Sequence, residues 1–173
     1  MKTLVAISIA AALLLGVPLS EQEDAPPFPS TFEGLRGVMI QVEPPDSSLE
    51  NAGITAFVIS TAVEKRLKES GVPVYPPGDP ALAPGFPALY VQVSALYDEF
   101  SKQCTWSIRV ELNQFVRMER DPDTIAIAAS TWSVGGLGYQ VKNWRQALID
   151  DILVYVDQFV AEFAEANPEG IEP

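Results

Sequence analysis

Histidine is absent from this 173-residue chain. Without an imidazole there is no His-ligated metal, no His general base and no Ser–His or Cys–His dyad. Cysteine occurs once, as Cys104, so no internal disulfide can form. Cys104 begins a run that reads as a buried strand face, which makes it a core side chain by expectation; the alternative is a bridge to another chain. Positive charge is also scarce, with 11 Lys and Arg against 23 Asp and Glu, a net of −12. Such a surface repels nucleic acid and anionic headgroups, so neither is an expected partner.

Strong catalytic and ligand-binding motifs are missing as well. Gly135, Gly136, Leu137 and Gly138 precede an apolar helical pattern, yet they lack the lysine and spacing of a phosphate loop and fail the dinucleotide fingerprint. They read as a flexible strand-to-helix turn. Asp150 and Asp151 are neighbours on that helix, so they splay about 100° apart and do not readily share a metal. Asp121, Pro122 and Asp123 read as a turn. The sequence therefore assigns no catalytic residue, no cofactor and no metal ligand, and the expectation is a protein that is not an enzyme.

What is present begins with an address. Lys2 precedes a run without charge over residues 4–17, and the small Ser20 stands before the acidic, proline-rich residues 21–27. A basic start, a short apolar core and a small residue make a secretory signal peptide over residues 1–20. The apolar run falls short of the about 20 residues of a membrane span. The chain is expected to be exported, periplasmic or extracellular, with no stable membrane insertion after cleavage. An uncleaved membrane anchor is the alternative, since Pro18 is poorly suited to the cleavage site. No cysteine follows the apolar run, which excludes lipid attachment there.

Residues 21–34 read as an acidic, proline-rich linker, residues 35–167 as one domain and residues 168–173 as a tail. Along residues 35–43, Val38, Ile40 and Val42 alternate with Met39, Gln41 and Glu43, giving a half-buried strand. A helix follows from an N-cap at Thr55 to Gly71, with a stripe of Val58, Ile59, Ala62, Val63 and Leu67. Residues 72–75 form a short strand, placed either at an edge or with Pro73 at its start. Residues 75–87, dense in proline, make a stiff connector rather than a recognisable PxxP ligand.

The middle of the chain alternates most clearly. Leu89, Val91, Val93, Ala95 and Tyr97 share one parity. Cys104, Trp106, Ile108, Val110, Leu112, Val116 and Met118 do the same in the next strand, interrupted only by Gln114. Thr105, Ser107, Arg109, Glu111, Asn113, Arg117 and Glu119 take the opposite parity, interrupted only by Phe115. That is a long antiparallel strand with one face in the core and one in water. Residues 125–134 return as a further strand. A last helix, from about 141 or 143 to 166, carries Leu148, Ile152, Val156, Phe159, Val160 and Phe163 and stops at Asn167 and Pro168. The expected fold is α+β, a two-layer sandwich. Its mainly antiparallel sheet of about five strands, in β-α-β-β-β-β-α order, has two helices on one face.

Trp106 belongs to the buried parity. The strand around Trp132 is ambiguous: Ile125, Ile127 and Ala129 argue for one face, Trp132 and Val134 for the other. An outward Trp132 beside Phe115 makes an aromatic patch on the open face, of the kind that marks partner binding. The candidate partner face is therefore Arg109, Glu111, Phe115, Arg117 and Trp132.

The helix and strand of residues 55–74, the hairpin, and Ser130, Thr131, Trp132 and Ser133 together resemble a group of uncharacterised exported bacterial α+β proteins. In order of elements the chain is also similar to small periplasmic modules of envelope machinery. These are the amino-terminal domain of the Tol translocation protein, the lipopolysaccharide-assembly lipoprotein and the curli-secretion lipoprotein. The likeness spans most of the chain after residue 20, but the acylated cysteine of the lipoproteins is missing and no functional residue carries over. It implies a non-catalytic binding or assembly module of the bacterial cell envelope, with an envelope protein as partner. Two alternatives stay open. One is a carrier of a small apolar ligand, held in a pocket lined by Trp106, Phe159 and Phe163. The other is a carboxylate-dependent enzyme assembled from distant acids.

Overall fold

A computed structural model describes residues 30–76, 85–98 and 100–168. The expected signal peptide, most of the linker, the centre of the proline-rich connector and most of the tail lie outside the described residues. The alternation of Val38, Ile40 and Val42 forms β1 (Val38–Val42). A one-turn helix not expected from the sequence follows, α1 (Ser47–Asn51), started by Asp46, whose carboxylate accepts from the Ser48 and Leu49 amides. Ser48 Oγ also donates to it at 2.5 Å, and this bond, followed by the Leu49 amide, holds the Asp46 carboxyl below the usual carboxylate range.

Helix α2 (Ala56–Glu69) runs as expected from its Thr55 N-cap, and Gly71 ends it with φ +78°. Ile59, Val63 and Leu67 are buried. Val58, placed in the stripe by its spacing, is exposed, so the buried stripe is narrower than the sequence suggests. Strand β2 (Val74–Tyr75) then pairs parallel with β1 at the edge of the sheet, just after Pro73.

The rest of the sheet is β3 (Ala88–Asp98), β4 (Gln103–Met118) and β5 (Asp121–Gln140), in spatial order β2-β1-β3-β4-β5. β1 pairs parallel with both of its neighbours, while the long β3–β4 and β4–β5 ladders are antiparallel. The sheet is thus mixed and open, and the layout is α+β with helices on one side. Cys104, Trp106, Ile108, Val110 and Leu112 are all buried, and Thr105, Ser107 and Arg109 exposed, which is the register read from the alternation. Cys104 itself is shielded from solvent, and burial pushes its thiol pKa up.

Helix α3 (Trp144–Ala166) covers β4 and β5 with Leu148, Ile152, Val156, Phe159 and Phe163. Arg66 of α2 reaches Asp157 of α3 at 2.8 Å, tying the two helices. Among the described residues, no helix is long and apolar enough to cross a membrane.

Three sequence expectations need correction. The domain begins before residue 35: Phe32 is buried, and its ring packs 5.4 Å from Phe159. Asn167, the C-cap of α3, donates to the Phe32 carbonyl and accepts from the Gly34 amide, fastening this segment to the end of the helix. The turn between β4 and β5 is at Glu119 and Arg120, so Asp121, Pro122 and Asp123 already belong to the strand.

The third correction concerns the glycines at 135, 136 and 138, which continue β5 rather than turning out of it. A Cβ on Gly135 would overlap the Ile108 carbonyl, and one on Gly138 would overlap the Trp106 indole and Asp151. These glycines let neighbouring groups approach closely. Gly138→Ala is expected to lower stability by about 1–3 kcal/mol, as overpacking does. Chemical denaturation checks this, and an unchanged midpoint would contradict the close packing.

Candidate partner-binding face

Odd-numbered residues of β4 point away from the helices, and the structure arranges them into rows with their cross-strand partners. One row is Tyr90, Glu111 and Ser133; the next is Gln92, Arg109 and Gly135. Toward the β3–β4 hairpin come Ser94, Ser107 and Leu137, then Leu96, Thr105 and Tyr139. Among the described residues no element covers this face.

Its centre is polar. Tyr90 Oη donates to Glu43 Oε2, and Gln92 Nε2 donates to the same oxygen at 2.6 Å. Arg109 Nη1 stands 3.7 Å from Glu111 Oε1; the arginine is largely exposed, the glutamate largely covered. The Glu43 hydrogen bond pushes the Tyr90 phenol up to about 12, helped by desolvation and by the Glu43 and Glu111 charges. A phenol with a raised folded pKa adds stability that is fully present below its unfolded value near 10. That contribution is lost as pH rises through about 12. Ultraviolet titration is expected to show one tyrosine ionising near 12 and to move it down in Glu43→Gln. No movement would remove the Glu43 contact from the account.

The ends of the face are apolar. At the β3–β4 end Leu96, Leu137 and Tyr139 are 81%, 83% and 70% exposed. At the other end Phe115 stacks on Phe86, with centroids 4.5 Å apart. Apolar ends around a polar centre reverse the usual anatomy of an interface, an apolar core inside a polar rim.

Of the residues expected on this face, Arg109 and Glu111 lie together at its centre, and Phe115 lies farther along with Phe86. Arg117 is at the far hairpin, donating to the Pro122 carbonyl. Arg109 and Arg117 are eight residues apart on one strand, on the order of 26 Å, so the five do not form one patch. Trp132 is on the opposite side. It pairs with the buried Leu112, packs edge-on against Phe32 and Phe159, and donates from Nε1 to Glu162 of α3 at 2.8 Å. The aromatic partner of Phe115 is therefore Phe86, not Trp132.

Sequence reasoning missed Glu43, Tyr90 and Gln92 as a bonded group, and Leu137 and Tyr139 as surface residues. The signal for Leu96 was its place on the solvent parity of β3.

The proposed ligand pocket fares differently. Trp106, Phe159 and Phe163 are core side chains, and Trp106 Nε1 donates to Asp151 at 3.0 Å. Two open grooves, of about 420 and 410 Å³, are not lined by them, and another, of about 340 Å³, beside Leu96 and Leu137 takes in Trp106 but neither phenylalanine. Among the described residues, no group of three or more acidic or thiol side chains could hold a metal ion. No protein-family model matches the chain, and no curated protein is significantly similar to it.

Proposed function

We propose that this protein is a non-catalytic binding or assembly module of the bacterial cell envelope, exported on residues 1–20, which presents the open face of its sheet to a protein partner. The observation that carries this reading is the uncovered group of Leu96, Leu137 and Tyr139, in two adjacent rows beyond the Arg109–Glu111 pair. Three large apolar side chains, each more than two-thirds exposed, are costly to leave in water together and favour a covering surface. The polar centre supplies orientation, since charged pairs at an interface select the partner and its register more than they add affinity. The absence of histidine and of any recognised catalytic motif in the sequence supports a binding role.

A photo-crosslinking residue at position 109, in the native host, tests this reading. Position 165 on the exposed side of α3 serves as the control. The expected result is an envelope-protein adduct from 109, absent from 165 and lost in Leu96→Asp. Equal labelling from both positions, or none from 109, would sink the proposal.

A further inference from the structure

The two edges of the sheet are protected differently. At one edge β2 is two residues long and bracketed by Pro73 and Pro76. At the other, the first half of β5 carries Asp121, Pro122 and Asp123, and its ladder with β4 is broken by three register shifts. Short edges, proline, charge and bulges are the devices by which sheets avoid pairing with other chains. The second half of β5 has none of them. Its ladder runs unshifted from Leu112↔Trp132 to Cys104↔Gln140, no strand lies on its outer side among the described residues, and residues 124–140 contain no charged side chain.

We infer that residues 132–140 of β5 are a homodimerisation edge, pairing antiparallel with the same segment of a second copy about Gly136. The two five-stranded sheets then become one. Centring on Gly136 sets Leu137, Tyr139 and Val134 opposite small residues, with Trp132 opposite Gln140. On the open face Leu137 meets the second copy's Gly135, and Tyr139 meets its Ser133. On the helix side Val134 meets Gly138. Cross-strand neighbours are the contacts that stabilise a paired sheet, and on the open face this register sets the exposed Leu137 and Tyr139 beside small residues.

Charge leaves this edge open to a second copy. A chain of net charge −12 resists meeting itself, and this uncharged segment is where two copies meet at least repulsion.

The edge shares Leu137 and Tyr139 with the open face proposed for a partner, and Leu96→Asp, off the edge, separates the two. The full chain, purified after export, is examined by light scattering over a range of concentrations. The expected mass is that of a dimer, retained in Leu96→Asp. It is expected to fall to the monomer in Leu137→Lys/Tyr139→Lys with an unchanged far-ultraviolet circular-dichroism spectrum, since both side chains are largely exposed. The double variant Ser133→Cys/Tyr139→Cys is expected to crosslink two copies on oxidation. Its own two thiols lie about 20 Å apart along one strand and cannot bridge each other. A monomer at every concentration would overturn the inference, as would a dimer indifferent to the two lysines. Bridging by Ser133→Cys alone would overturn the register about Gly136.

Discussion

Val110→Asp is expected to leave the domain unfolded or molten at 25 °C, while Arg109→Asp, one residue away, is expected to melt within a few degrees of the parent. Val110 is fully buried between Val91 of β3 and Val134 of β5. Replacing it removes about 1.5–3 kcal/mol of apolar burial. It also places an unpaired carboxylate in the core, at a further cost of several kcal/mol. The sum approaches the whole stability of an ordinary domain, about 5–15 kcal/mol. Arg109 instead points into water, and its 3.7 Å approach to Glu111 is a surface pair worth roughly 0–1 kcal/mol. Circular-dichroism melting of the two variants decides the matter. If they melt alike, the two faces of β4 have been exchanged or confused, and the open face goes with them.

Phe32→Ala is expected to cost about 3–5 kcal/mol, the usual range for a buried aromatic truncated to a methyl. The ring fills a notch between Trp132, 5.8 Å away and nearly perpendicular, and Phe159 at 5.4 Å. Its backbone is tied through Asn167 to the last turn of α3. Losing the ring opens the core at one end of the sheet and exposes the face of Trp132. Denaturant titration measures the loss, and a red shift in tryptophan emission is expected with it. A change below about 1 kcal/mol would return residues 30–34 to the linker, since surface substitutions away from the core stay near that size.

Much of this architecture was legible because water sits on one side of it. Along β3 and β4 a strict alternation survives for many residues, so the parity of Cys104, Trp106 and Val110 is readable directly. The stripe from Leu148 to Phe163 is equally plain at helical spacing. Alternation failed where the backbone broke it. Leu112 pairs with Trp132 but Asn113 with Ser130, so Thr131 is an extra residue that resets the parity of β5. A second irregularity surrounds Ala128, whose φ is +53°. Ile125 and Ile127 consequently resemble core residues while being exposed, and Trp132 resembles a surface residue while packing inward.

The remaining misses have other causes. Glycine usually punctuates a chain, but at 135 and 138 it makes room for the Ile108 carbonyl and the Trp106 indole. Phe32 was hidden by its acidic, proline-rich neighbours. Arg109 and Glu111 could be placed on the open face from the sequence. The Glu43, Tyr90 and Gln92 group could not, because it is assembled by β1–β3 pairing, which is long-range and leaves no periodic trace.

The central claim is that one face of this sheet is free in the isolated protein and covered in the cell. Hydroxyl-radical footprinting, on purified protein and in the intact host, measures both conditions at the same side chains. The account predicts strong labelling of Leu96, Tyr90 and Tyr139 in the purified protein and weak labelling of Trp106, Phe159 and Phe163 in both. In the host, Leu96 and Tyr90 are expected to become protected. Equal labelling of these two residues in the two conditions would contradict a partner on the open face.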